Sequence, residues 1–103
     1  MRIRLRLAGN SSLKGKRKVV KSLAAQLRNK FNVSVSEVGL NDVLQEAEIG
    51  IVTVGNSASF VNSVLDKVMG FVDKITPAEI INSEIELVHM GTEWGTAIDV
   101  YDF

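Results

Sequence analysis

Residues 2–7 read Arg-Ile-Arg-Leu-Arg-Leu, a strict alternation that puts Ile3, Leu5 and Leu7 on one face of a β-strand and Arg2, Arg4 and Arg6 on the other. A sheet built around such a strand has one apolar face to cover and one charged face to leave open. Everything downstream has to supply that cover. Residues 8–12 (Ala-Gly-Asn-Ser-Ser) form a loop ending in a helix N-cap. Leu13, Val20, Leu23, Ala24, Leu27 and Phe31 then recur at helical spacing, with Asn32 expected as a left-handed C-terminal residue. Valine alternates with serine over 33–38, which predicts a second strand, and 47–54 predicts a third paired antiparallel to it.

Gly55, Asn56 and Ser57 supply a turn and cap, and Phe60, Val61, Val64, Leu65, Val68, Phe71, Val72 and Ile75 mark a second helix that Thr76, Pro77 and Ala78 end. A fourth strand is expected over 80–89, with Glu84 and Glu86 opposite Ile81, Ile85 and Leu87. The order β, α, β, β, α, β with right-handed crossovers predicts a ferredoxin-like α/β (α+β) sandwich: a four-stranded antiparallel sheet with both helices on one face. The first strand is then central, its arginines on the open face beside Glu84 and Glu86. The expected domain covers 1–89. Residues 90–103 form an extension that holds Trp94, Tyr101 and Phe103, half of the six aromatics. Residues 96–103 could form a fifth strand, and the three aromatics are expected to pack on the domain or at a homodimer interface.

Charge is divided along the chain. Residues 1–36 carry ten Lys or Arg and no acid, whereas the remainder carries two Lys against twelve acids, so a net charge of zero conceals +10 followed by −10. Such asymmetry points to an anionic partner for the basic part, or to neutralisation of one part by the other within the fold. No cysteine is present and only one histidine, which removes disulfides, thiolate metal sites, a cysteine nucleophile and any His-pair metal site. No apolar run is long enough to cross a bilayer, and arginines at 2, 4 and 6 interrupt the stretch a signal peptide would need, so the expected location is cytoplasmic.

On the first helix, Lys14, Arg17, Lys18, Lys21 and Arg28 fall within an arc of about 100° opposite Leu23 and Leu27. Lys16 and Lys30 lie nearer the apolar side and are expected to snorkel around the helix ends. A helix face made for stability alone would mix Glu with Lys and would place acids in its first turn. Cations of one sign there mark a candidate anion- or RNA-binding set of Lys14, Lys16, Arg17, Lys18, Lys21 and Arg28. A merely solvated helix face is the structural alternative.

Other constellations fail on spacing or chemistry. Gly9 to Arg17 is one residue too long for a P-loop, and Arg17 stands where a Ser or Thr would meet magnesium. Glu37, Asp42, Glu46 and Glu48 read as an acidic hairpin rather than a metal site. His89 has no orienting or nucleophilic partner, and the strand arginines lack the aromatics of an RNA-binding sheet. No catalytic residue, metal or cofactor is expected, and an enzyme is the least favoured reading.

The stretch Ser12-Leu13-Lys14-Gly15-Lys16-Arg17-Lys18-Val19-Val20-Lys21-Ser22-Leu23, with Arg28, Phe31-Asn32-Val33-Ser34-Val35 and Glu37-Val38, resembles the YlxP family, a bacterial family of unknown function. The similarity extends through Asp42, Gln45, Ala47, Gly50 and Leu65-Asp66-Lys67-Val68, over roughly residues 1–89. The resemblance implies a ferredoxin-like fold, and its genes are often found beside those for translation initiation factor two and ribosome-binding factor A, which implies RNA or the ribosome as partner. Leu44 stands where many members have Trp, Glu46 where a basic residue is common, and the residues after His89 look like an addition. The leading expectation is a non-enzymatic RNA- or ribosome-associated module. The alternative is a protein-interaction or homo-oligomerisation domain whose basic face meets an acidic surface.

Overall fold

The alternation of residues 2–7 becomes β1 (Arg2–Leu7), the strand on which both layers are built. In the computed structural model, which describes residues 1–75 and 78–90, it is followed by α1 (Leu13–Lys30), β2 (Ser34–Gly39), β3 (Glu46–Val52), α2 (Ala58–Lys74) and β4 (Ala78–Glu84). The sheet order is β2-β3-β1-β4 with every neighbouring pair antiparallel. This is the ferredoxin-like βαββαβ arrangement, with β1 and β3 central.

Ile3, Leu5 and Leu7 of β1 and Ala47, Ile49 and Ile51 of β3 are buried in one cluster with Leu23, Ala24 and Leu27 of α1 and Val68 and Val72 of α2. Both helices therefore cover the same face of the sheet. Each begins at a serine: the Ser12 hydroxyl accepts from Gly15 N at 3.0 Å and the Ser57 hydroxyl from Phe60 N at 3.2 Å, satisfying an amide that the helix itself leaves free. The helices also meet at Phe31 and Phe71, whose rings pack edge to face with centroids 5.9 Å apart.

On the open face, Arg2 stands opposite Gly50 and Glu84, Arg4 opposite Glu48 and Asn82, and Arg6 opposite Glu46 and Glu79. Ion pairs follow this register: Arg2 with Glu48 (3.2 Å) and Glu84 (2.6 Å), Arg4 with Glu48 (3.5 Å), Arg6 with Glu79 (3.8 Å). Only Glu84 of the two expected carboxylates takes part. β4 starts and ends earlier than the expected 80–89, because Ala78 already pairs with Leu7 and the partner strand runs out at Arg2; Glu86 and His89 lie beyond it. The pairing passes from Arg4 with Asn82 to Leu5 with Ile80, leaving Ile81 as a bulge, so the acids at 79 and 84 both serve the arginine face.

Two further expectations change. β3 ends at Val52, leaving Val54 outside it and exposed. Asn32 is not left-handed; α1 ends at Phe31 with extended backbone, and the positive-φ positions among the described residues are Gly9 and Leu40. The expected fifth strand over 96–103 and the aromatics Trp94, Tyr101 and Phe103 lie outside the described residues, as do Thr76 and Pro77.

Leu27 is wholly buried where α1 meets the sheet. Leu27→Ala is expected to lower stability by about 3 kcal/mol, and for a domain of this size to lower Tm by roughly 15 °C. Differential scanning calorimetry of the two proteins measures the shift.

Candidate nucleic-acid interface

The six candidate residues share one helix but not one environment. Lys14, Arg17, Lys18 and Lys21 are exposed. They follow one another at i, i+3, i+4 and i+7 along the outer side of α1, because that spacing keeps side chains in register on a helix. Among the described residues none of the four has an ion-pair partner. No acid stands in the first turn of α1, so the positive end of the helix adds to their potential.

Lys16 is a correction. Its side chain is 2% exposed and lies among the core residues, so it is not part of an anion-binding surface. Its ammonium sits 2.9 Å from Glu37 Oε2 and donates hydrogen bonds to the carbonyls of Leu40 and, at 2.8 Å, Val43. The contact with Glu37 is an ion pair without hydrogen-bond alignment, the directional bonds being those to the two carbonyls. The reason is helical phase. Lys16 precedes Leu23 by seven residues and Leu27 by eleven, which places all three in line facing the sheet. That phase was readable in the sequence; the carboxylate able to receive the ammonium, contributed by β2, was not.

Arg28 is exposed, but its Nη2 donates to the Val35 carbonyl at 2.7 Å. β2 is an edge strand, and this guanidinium engages one of its carbonyls. Lys30 turns over the Phe71 ring, 4.6 Å from its centroid. The acidic hairpin residues separate as well: Glu37 meets Lys16 on the helix side, while Glu48 meets Arg2 and Arg4 on the open face. Among the described residues no three His, Asp or Glu side chains are grouped to hold a metal ion, and no helix is long and apolar enough to cross a membrane.

Beside the basic stripe the two connections at the start of α1 are tied together. Asn10 Nδ2 donates to the Leu44 carbonyl and, at 2.8 Å, to the Ser12 carbonyl. Gly15 makes room for the Asn10 side chain, since a Cβ there would strike the Asn10 amide oxygen and the amide would have to move. Leu40, at φ 57°, makes the left-handed turn that starts the β2–β3 connection. Its carbonyl and that of Val43 then both reach Lys16.

Residues 1–85 match the model of a family described as "Protein of unknown function (DUF503)". The chain belongs to this family. It is also 39% identical over 83 residues to the "Uncharacterized protein YlxP" of Bacillus subtilis (strain 168), covering 81% of this chain and 83% of the relative. The resemblance carried by Ser12 to Leu23 is thus borne out, and the family's function is unknown. The match stops one residue after β4 ends, so the aromatic residues at 94, 101 and 103 fall outside the part of this DUF503 member that the family model matches.

Lys16→Met leaves the Glu37 carboxylate and two carbonyls without their donor, and the expected cost is about 3–5 kcal/mol. Lys18→Met, on the outer face, is expected to change stability by no more than about 0.5 kcal/mol. Urea unfolding midpoints of the two variants distinguish a buried structural cation from a surface one.

Proposed function

We propose that this protein binds RNA, without chemistry, through the outer face of α1, using Lys14, Arg17, Lys18 and Lys21 on backbone phosphates. One observation carries the reading. All three arginines of β1 and Lys16 have carboxylates, and Arg28 and Lys30 are engaged with a carbonyl and a ring, while these four cations are exposed and uncompensated among the described residues. Among the described residues, neutralisation of the basic third by the acidic remainder, the structural alternative, does not reach this face.

A row of one sign with no interleaved carboxylate fits a polyanion and not a mixed protein surface. Phosphate contacts of this kind fix position and orientation, and the shape of the RNA supplies selectivity. The open sheet face is a poor alternative platform, because its arginines are paired and its strands present no aromatic for stacking. The gene neighbourhood implied by the family resemblance agrees with a role near the ribosome.

Four phosphate contacts predict a log–log salt slope of about −2.8 on single-stranded RNA and about −3.6 on duplex. Fluorescence anisotropy with ribosomal RNA fragments across a salt series measures it. Changing Lys14, Arg17, Lys18 and Lys21 to Glu is expected to abolish binding, whereas Arg28→Ala is expected to leave the slope unchanged. Affinity that is absent, or that survives the four changes, overturns the reading and turns the search to acidic protein partners.

A further inference from the structure

Lys18 belongs to the basic stripe and also to the lip of a groove. Among the described residues, α1 and the end of α2 enclose an open apolar groove of about 210 Å³, with Val19 and Leu23 on one side and Val72 and Ile75 on the other. A cavity of about 150 Å³ lined by aliphatic side chains admits one benzene ring, so one flat heterocycle fits here. The lip on the α1 side is polar. Lys18, Ser22 and Gln26 stand there at i, i+4 and i+8, one above the other along the helix. Gln26 Nε2 donates to the Ser22 hydroxyl at 3.1 Å, which leaves the Gln26 amide oxygen as an acceptor and the Ser22 O–H as a donor.

We infer that this groove takes one unpaired base of the RNA whose phosphates lie on the α1 stripe. The inference rests on the RNA reading and narrows it to strands with a free base, in single strands, loops or bulges, because a base within a continuous duplex is stacked and paired. Charge complementarity selects the occupant. The groove is apolar between its walls, no carboxylate stands among its lining residues, and Lys18 at its lip is flanked on the helix by Lys14 and Lys21. A ligand for this place is flat and apolar on one side and anionic on the other, and a nucleotide carries both in one unit. Its base lies between the two aliphatic walls, which remove both ring faces from water. Ser22 and Gln26 meet the hydrogen-bonding edge, and the neighbouring phosphates stay on the lysines. Phosphate contacts alone carry no sequence information; the groove adds one position at which the base itself matters.

The test compares short oligouridylate and oligoadenylate with an abasic ribose–phosphate strand of equal length, each titrated against the full chain by fluorescence anisotropy. All three are expected to bind with the same salt slope, and at least one base-bearing strand about tenfold more tightly than the abasic one. Nuclear Overhauser contacts from the base protons of that strand to the methyls of Val19 and Ile75 are expected. Ser22→Phe fills the groove from an exposed helix position. It is expected to bring the base-bearing strands to the affinity of the abasic strand and to leave binding of the abasic strand unchanged. Equal affinity for all three strands, or a preference that Ser22→Phe leaves intact, overturns the inference while the phosphate reading stands. Affinity for none of them overturns both.

Discussion

A buried ammonium fixes the place where α1, β2 and the β2–β3 connection meet. A lysine that lies inside a protein must find an anion and acceptors there, because transfer of an unpaired charge from water is prohibitive. Lys16 finds Glu37 and the carbonyls of Leu40 and Val43. Each of these depends on a detail of geometry. A slip of β2 by one residue would turn Glu37 to the open face and leave the ammonium without its anion, and the Leu40 carbonyl reaches Lys16 only through a left-handed turn. Hydrophobic burial alone would accept several offsets of α1 along the sheet; this ion pair does not.

The same accounting of charge organises the rest of the molecule. Four of the twelve acids that follow residue 36 in the sequence return in space to cations that precede it: Glu48 and Glu84 to Arg2, Glu48 to Arg4, Glu79 to Arg6, Glu37 to Lys16. Antiparallel pairing places β3 and β4 on either side of β1, so carboxylates at alternate positions of those strands face its arginines. The Arg2–Glu84 and Arg6–Glu79 pairs are exposed on both sides and each contributes little stability, whereas Glu48 is mostly buried between Arg2 and Arg4. Their consequence is electrostatic: they offset the charge of the β1 arginines, while among the described residues the cations on the outer side of α1 have no carboxylate partner.

Architecture was legible because it rests on periodicity. The alternation in 2–7, the helical spacing in both helices and the serines before them are local signals, and each appears in the structure where it was expected to within a few residues. What misled lay at the boundaries and in the charged residues. The end of β4 is set by where β1 runs out, which no residue of 80–89 records, and the bulge at Ile81 brings Glu79 to Arg6 in place of the expected Glu86. Asn32 had the right identity for a left-handed cap, yet Phe31 is extended, Val33 N donates back to the Phe31 carbonyl across Asn32 at 3.0 Å, and the left-handed non-glycine residue is Leu40, whose side chain gives no such hint.

The order of elements, the two faces of β1, the helix starts and the family could all be read from residue types, because each depends on residues at fixed local spacing. The same signals placed the cations of α1 on that helix. Which of them are engaged came from folding, since that depends on what packing brings beside each: Glu37 meets Lys16 from 21 residues away, the Val35 carbonyl holds Arg28, and the Phe71 ring holds Lys30. An ion's environment is fixed by what long-range packing brings to it. For that reason the basic stripe could be drawn from the sequence, while the part of it left without a carboxylate among the described residues, Lys14, Arg17, Lys18 and Lys21, needed the fold.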